Sequence, residues 1–184
     1  MTKNNWLNSE LVFLTLSLSL AVIGFLVRKQ YNYVYNSVII YIGYLLLIHL
    51  EYRKNFKVKK CIRILIVITV LLHNILGQYF NFYRTVKWFD KVLHLFGTFS
   101  FTLFFYSIIE STIKISHGSK VYTFINIASI GIAIGVFLEN IEFILDVIIR
   151  TNNQHGANDI NLDLIFNVIG AAIAGLLWTI NKNH

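Results

Sequence analysis

Apolar positions in this chain fall into long runs separated by short polar or basic connections. The runs lie near residues 11–27, 34–50, 62–80, 90–109, 121–149 and 162–180. Each is long enough to cross a hydrocarbon layer about 30 Å thick at a rise of about 1.5 Å per residue. The pattern predicts an all-α fold: an integral membrane bundle of about six transmembrane helices, forming a single domain over residues 1–184. The fifth run is longer than a perpendicular crossing needs, so it is expected to tilt or to project past the membrane surface. The first run is longer than a usual signal core, and no small-x-small site precedes Arg28 and Lys29. It reads as a retained helix with no targeting segment removed.

Composition agrees, with 56% apolar and 14% charged residues and a mean hydropathy of +0.62. Proline is absent, so any break in a helix must come from glycine or from a loop. Cys61 is the only cysteine, which excludes an internal disulfide and every CxxC metal motif. A net charge of +7 would raise nucleic acid as a partner in a soluble protein. Here the basic residues gather between apolar segments without interleaved aromatics, so they belong to loops and lipid headgroups, and no nucleic acid is expected. Threading the runs with the N-terminus inside puts Lys3, Arg53, Lys54, Lys57, Lys59, Lys60, Arg63, Lys114, Lys120 and Lys182 on the cytoplasmic side. Arg28, Lys29, Arg84, Lys87, Lys91 and Arg150 fall outside. That imbalance favours both termini in the cytoplasm, with Arg28 and Lys29 pulling the other way.

Six of the nine acidic residues concentrate in three places, all on the side opposite the termini. Asp90 and His94 open the fourth segment at i, i+4 and so point the same way. Glu139, Glu142 and Asp146 make one stripe on the outer part of the fifth. Asp159, Asp163 and Asn167 repeat the four-residue spacing where the sixth begins, and share a face if that helix already includes Asp159. His73, Asn74 and Gln78, on the outward part of the third segment, could join them. Charged groups at membrane depth are costly and should face the bundle interior and pair there. Mixed imidazole and carboxylate donors suit a divalent metal such as Zn, Mn or Mg, with Asp90, His94 and Glu139 as ligands, or an acid and base site of His94, Glu139 and Asp163. The structural alternative is an interhelical hydrogen-bond network with Lys91 and Arg150 as counter-charges at its rim.

Other residues have simpler readings. His49, beside Glu51, reads as an interfacial anchor, and His117, His155 and His184 as solvated. Trp6, Tyr31, Tyr33, Tyr35, Tyr52, Tyr79, Tyr83 and Trp88 form interfacial belts. Gly131 with Gly135, and the small face of Gly170, Ala171, Ala174 and Gly175, indicate close helix packing. No GxSxG, HExxH, P-loop or Rossmann glycine pattern is present. The first three runs lack the acidic stripes of the last three, which counts against an inverted-repeat transporter.

The segments FDKVLHLFGTFSF (residues 89–101), FLENIEFILD (137–146) and NDINLDLIFNVIGAAIAGLL (158–177) resemble the pattern of bacterial YjdF-like and VanZ-like membrane proteins. In these an Asp-Lys-x-x-His motif, a Glu-rich helix and an Asp-x-x-x-Asp-x-x-x-Asn-x-x-Gly segment follow one another. The last loop, with Asn152, Asn153, Gln154, His155 and Gly156, departs from the arginine-containing stretch of VanZ-like sequences, and the Glu139 to Asp146 stripe is closer to the YjdF-like form. The resemblance implies a multi-pass protein of the bacterial cytoplasmic membrane in a largely uncharacterised family, VanZ itself being linked to glycopeptide resistance. Together these features point to a protein acting on envelope lipid or cell-wall precursors through a polar cluster near the extracytoplasmic face. Membrane lipid is the expected partner. The alternatives are a metal-dependent membrane hydrolase, an ion or small-molecule transporter, and a structural or accessory subunit.

Overall fold

The computed structural model describes residues 4–54, 58–113, 119–149, 154 and 156–181. Among the sequence expectations, those on Lys3, Lys57, Lys114, Arg150 and Lys182, on His117, His155 and His184, and on Asn152 and Asn153 fall outside the described residues. The described chain is helical, with elements α1 (Asn4–Val27), α2 (Tyr31–Lys54), α3 (Lys60–Leu71), α4 (Phe82–Thr85), α5 (Phe89–Thr112), α6 (Lys120–Ile149) and α7 (Ala157–Asn181). A π-helical segment, Leu72–Tyr79, continues α3 without a break. Six helices are long and apolar enough to cross a membrane, α3 counting together with its π-helical extension. Large apolar side chains such as Leu20, Val27, Phe137 and Ile148 stand more than half exposed, an arrangement suited to lipid and not to water.

Helices α5, α6 and α7 pack against one another, α3 joins them through α5, and α1 with α2 lies along α3 and its extension. Small residues set the spacing of the three-helix half. A Cβ on Gly170 would collide with the Leu95 carbonyl of α5, and one on Gly131 would meet Thr102 and Ala171. One on Gly135 would come within 2.7 Å of the Asn167 Cβ. Backbone cannot yield as a flexible side chain can, so Gly170→Ala is expected to cost about 1–3 kcal/mol as overpacking, read as a lower unfolding temperature in detergent.

At the end carrying both chain termini, Arg63 is held between Glu10 and Glu51 at 3.1 Å each and donates to the Val58 carbonyl at 2.9 Å. This ties the start of α1, the end of α2 and the start of α3 together. At the opposite end Arg28 donates to the Tyr79 carbonyl at 2.7 Å and lies over the Tyr79 ring at 4.0 Å. It thereby caps the exposed end of the π-helix, where a cation is favourable, so its position on this side has a structural cause independent of topology. The π-helix ends at Tyr79, and Asn81, which precedes α4, has a φ of 63°, in the left-handed region that asparagine tolerates better than most residues. The core between the two ends is mainly apolar, with Ile66, Val70, Leu103, Phe104 and Ile127 buried beside hydroxyls such as those of Ser100 and Thr102.

Candidate functional site

The first donors come from the start of α5, where one helical turn separates Asp90 from His94. The His94 ring sits in a ring of carboxylates: Nε2 is 3.5 Å from Asp90 Oδ1, 3.7 Å from Asp163 Oδ1 and 3.9 Å from Glu142 Oε1, while Nδ1 is 3.3 Å from Glu139 Oε1. All four distances exceed that of a good N–H···O hydrogen bond. The imidazole is therefore surrounded without being closely engaged. Glu139 is buried, and among the described residues no hydrogen bond closes on either of its oxygens or on Asn167 Nδ2, while Asp163 Oδ1 pairs with the Lys91 ammonium at 2.7 Å. Buried polar atoms left without partners cost about 1–3 kcal/mol each, so the Glu139 carboxylate beside the imidazole carries an uncompensated cost.

Lys91 brings an ammonium into the cluster. Its ammonium reaches Asp159 Oδ1 at 2.5 Å, Asp163 Oδ1 at 2.7 Å and Asp90 Oδ2 at 2.9 Å, tying α5 to α7, and the residue is only 4% exposed. The rim position expected from sequence is corrected: Lys91 stands inside the cluster, because its neighbours on α7 fold over it. Five carboxylates (Asp90, Glu139, Glu142, Asp159, Asp163) thus face one lysine and one histidine.

The helix carrying Asp159, Asp163 and Asn167 begins at Ala157, upstream of the expected 162, with Gly156 (φ 110°) accepting its first backbone hydrogen bonds. The three side chains consequently share one face. Asp163 reaches His94 and Lys91, Asp159 reaches Lys91, and Asn167 accepts a 2.6 Å hydrogen bond from Thr98 one turn deeper. The stripe on α6 divides by height: Glu139 and Glu142 approach His94, whereas Asp146 accepts the Gln154 backbone N–H at 2.8 Å. Gln154 also donates to the Glu139 carbonyl at 3.2 Å.

The π-helix brings a further group that sequence reasoning placed only loosely. His73 and Gln78 are five residues apart, about 140° around an α-helix. The wider π turn puts their side chains 2.9 Å from each other. His73 also contacts Asn36 at 3.0 Å and the Tyr83 hydroxyl at 2.5 Å, and Asn74 accepts from Ser37 at 2.7 Å. Tyr83, taken from sequence for an interfacial belt residue, is instead half-buried in this network. Below both groups the described residues carry no buried charge, and the buried hydroxyls of Ser100 and Thr102 donate to carbonyls of their own helix. Thr69 donates to its own Leu65 carbonyl and Ser129 faces outward.

The family described as "Predicted membrane protein (DUF2238)" matches residues 9–184. The chain belongs to this family. An uncharacterised protein of Thermotoga maritima is 37% identical over 106 residues, which are 55% of this chain and 53% of the relative. The matched region thus spans about half the length of that relative. No solved structure matches the chain. Membership of this family agrees with the membrane-spanning architecture and assigns no activity to the cluster.

Proposed function

We propose that this DUF2238 protein binds a divalent metal ion at His94, on the extracytoplasmic side of a bacterial cytoplasmic membrane, and uses it on the headgroup of an envelope lipid or cell-wall precursor. The observation that carries the reading is the shell of carboxylates around one imidazole, in which both buried oxygens of Glu139 lack a hydrogen-bond partner among the described residues. A tetrahedral ion with bonds of about 2.1 Å sets its donor atoms about 3.4 Å apart. His94 Nε2 lies 3.5 Å from Asp90 and 3.7 Å from Asp163, and the donor atoms of these three residues fall within 4.8 Å of one another. Three protein ligands leave a position open, as catalytic sites do. Glu139 Oε1, 3.3 Å from the other ring nitrogen, would accept the Nδ1 proton as the ring settles onto the ion and so fix the tautomer that leaves Nε2 free to coordinate. Glu142 Oε1 stands 3.9 Å from Nε2, farther than Asp90 or Asp163, its side chain is 33% exposed, and it can take a proton from a reacting group. A bound ion supplies a Lewis acid for a phosphoester or related bond.

The side is supported by charge: ten basic and three acidic residues accompany the termini, against six and six on the side of the cluster. The bacterial setting is supported by the YjdF-like and VanZ-like motifs, each of which supplies side chains to the cluster. The apolar layer beneath it weighs against a transmembrane ion route. Lys91, bridging three carboxylates, favours a second reading in which the cluster only fixes helix register.

Protein purified in detergent, loaded with Mn2+ or Zn2+ and desalted, is expected to retain about one equivalent and to unfold at lower temperature after chelation. The loaded protein is expected to release headgroup from a bacterial envelope lipid extract, read by mass spectrometry. Failure to retain metal, with no effect of chelator, would favour the register-only reading.

A further inference from the structure

The network around His73 stands beside the proposed metal site and has its own chemistry. Both groups that meet His73 Nε2 are amide nitrogens, of Gln78 and Asn36. Amide nitrogens only donate, so with Gln78 and Asn36 in these orientations the ring's lone pair is on Nε2 and its proton is on Nδ1. That proton is directed to the Tyr83 oxygen at 2.5 Å, which leaves the Tyr83 O–H free for another acceptor. Burial first, then the charges of Asp90 and Glu142, push the Tyr83 hydroxyl well above its ordinary range, so it remains a proton-bearing donor. The ring is held firmly. A Cβ on Gly77 would collide with it, and Phe89, next to Asp90, packs edge-on at 5.3 Å.

We propose that Tyr83 donates its hydroxyl to an oxyanion ligand at the His94 metal site, a phosphate oxygen, and that His73 is the residue that positions it. The assignment rests on the metal reading above. Five carboxylates repel an anion, so phosphate enters only once the divalent cation is in place. A neutral donor fixed beforehand then adds attraction without reorganisation. Arg84 and Lys87, exposed on either side of the connection that follows Tyr83, give the approach the positive charge an anion needs.

The test is a titration of Mn2+ into detergent-solubilised protein, followed by its paramagnetic resonance, and then of inorganic phosphate into the Mn2+-loaded protein. Phosphate is expected to bind only with Mn2+ present. Tyr83→Phe is expected to keep its Mn2+ affinity, which also reports its folding, and to lose about tenfold in phosphate affinity, the scale of one hydrogen bond to a charged group. His73→Leu should behave likewise. His73→Asn, which keeps a donor near the Nδ1 position, should recover most of the loss. Unchanged phosphate affinity in Tyr83→Phe would overturn the tyrosine assignment and leave the metal site standing, whereas a wild-type protein that binds no Mn2+ would overturn both. Dihexanoyl phosphatidic acid in place of phosphate separates the sources: tighter binding identifies a lipid headgroup, equal binding free phosphate.

Discussion

His94→Ala is expected to abolish stoichiometric divalent metal binding while leaving helix content unchanged. Among the described residues, His94 supplies the only imidazole of a donor set that is otherwise carboxylate. The loss of groups that merely orient a ligand costs about 10–100-fold in affinity, so the loss of the central ligand should exceed that. The fold should survive, because six apolar spans and the glycine contacts between α5, α6 and α7 do not depend on this ring. Elemental analysis beside circular dichroism checks both halves of the expectation. Metal content unaffected by the substitution would end the assignment of His94.

Lys91→Met is expected to destabilise the protein by about 3–5 kcal/mol, the scale on which removing one partner of a buried ion pair leaves the other uncompensated. Three carboxylates share this ammonium, and the Asp163 and Lys91 side chains are only 5% and 6% exposed. Because the stranded carboxylates can be neutralised by another cation, added Mn2+ should restore part of the loss by binding the folded state. Denaturation in detergent with and without Mn2+ measures both effects. A variant as stable as the wild type without metal would mean that these carboxylates carry protons, and the charge argument for a cation would fall.

Much of this arrangement was legible in the sequence because helical periodicity acts locally. Asp90 with His94, Glu139 with Glu142, and Asp163 with Asn167 each lie three or four residues apart, and run lengths alone put all three pairs at the end opposite the termini. Their meeting at His94 depends on close approach of three helices, of which Gly131, Gly135 and Gly170 were a visible sign. The π-helix was not legible, since no proline or charge marks it. Its only trace is the five-residue interval between His73 and Gln78, which has no meaning on an α-helical wheel. Lys91 was misplaced at the rim because a lysine beside an aspartate near a helix start usually reaches solvent. Its burial follows from Asp159 and Asp163 on α7, a tertiary fact. Tyr83 looked like one more interfacial aromatic until the π turn brought His73 to its hydroxyl.

X-ray absorption at the metal edge of Zn2+-loaded protein tests the central claim most directly. The account expects one imidazole nitrogen at about 2.0–2.1 Å with carboxylate oxygens at about 2.0–2.2 Å, and loss of the imidazole scattering in His94→Ala. A first shell of oxygens alone in the wild type would contradict it, placing the ion on the surface carboxylates and leaving His94 to its structural neighbours.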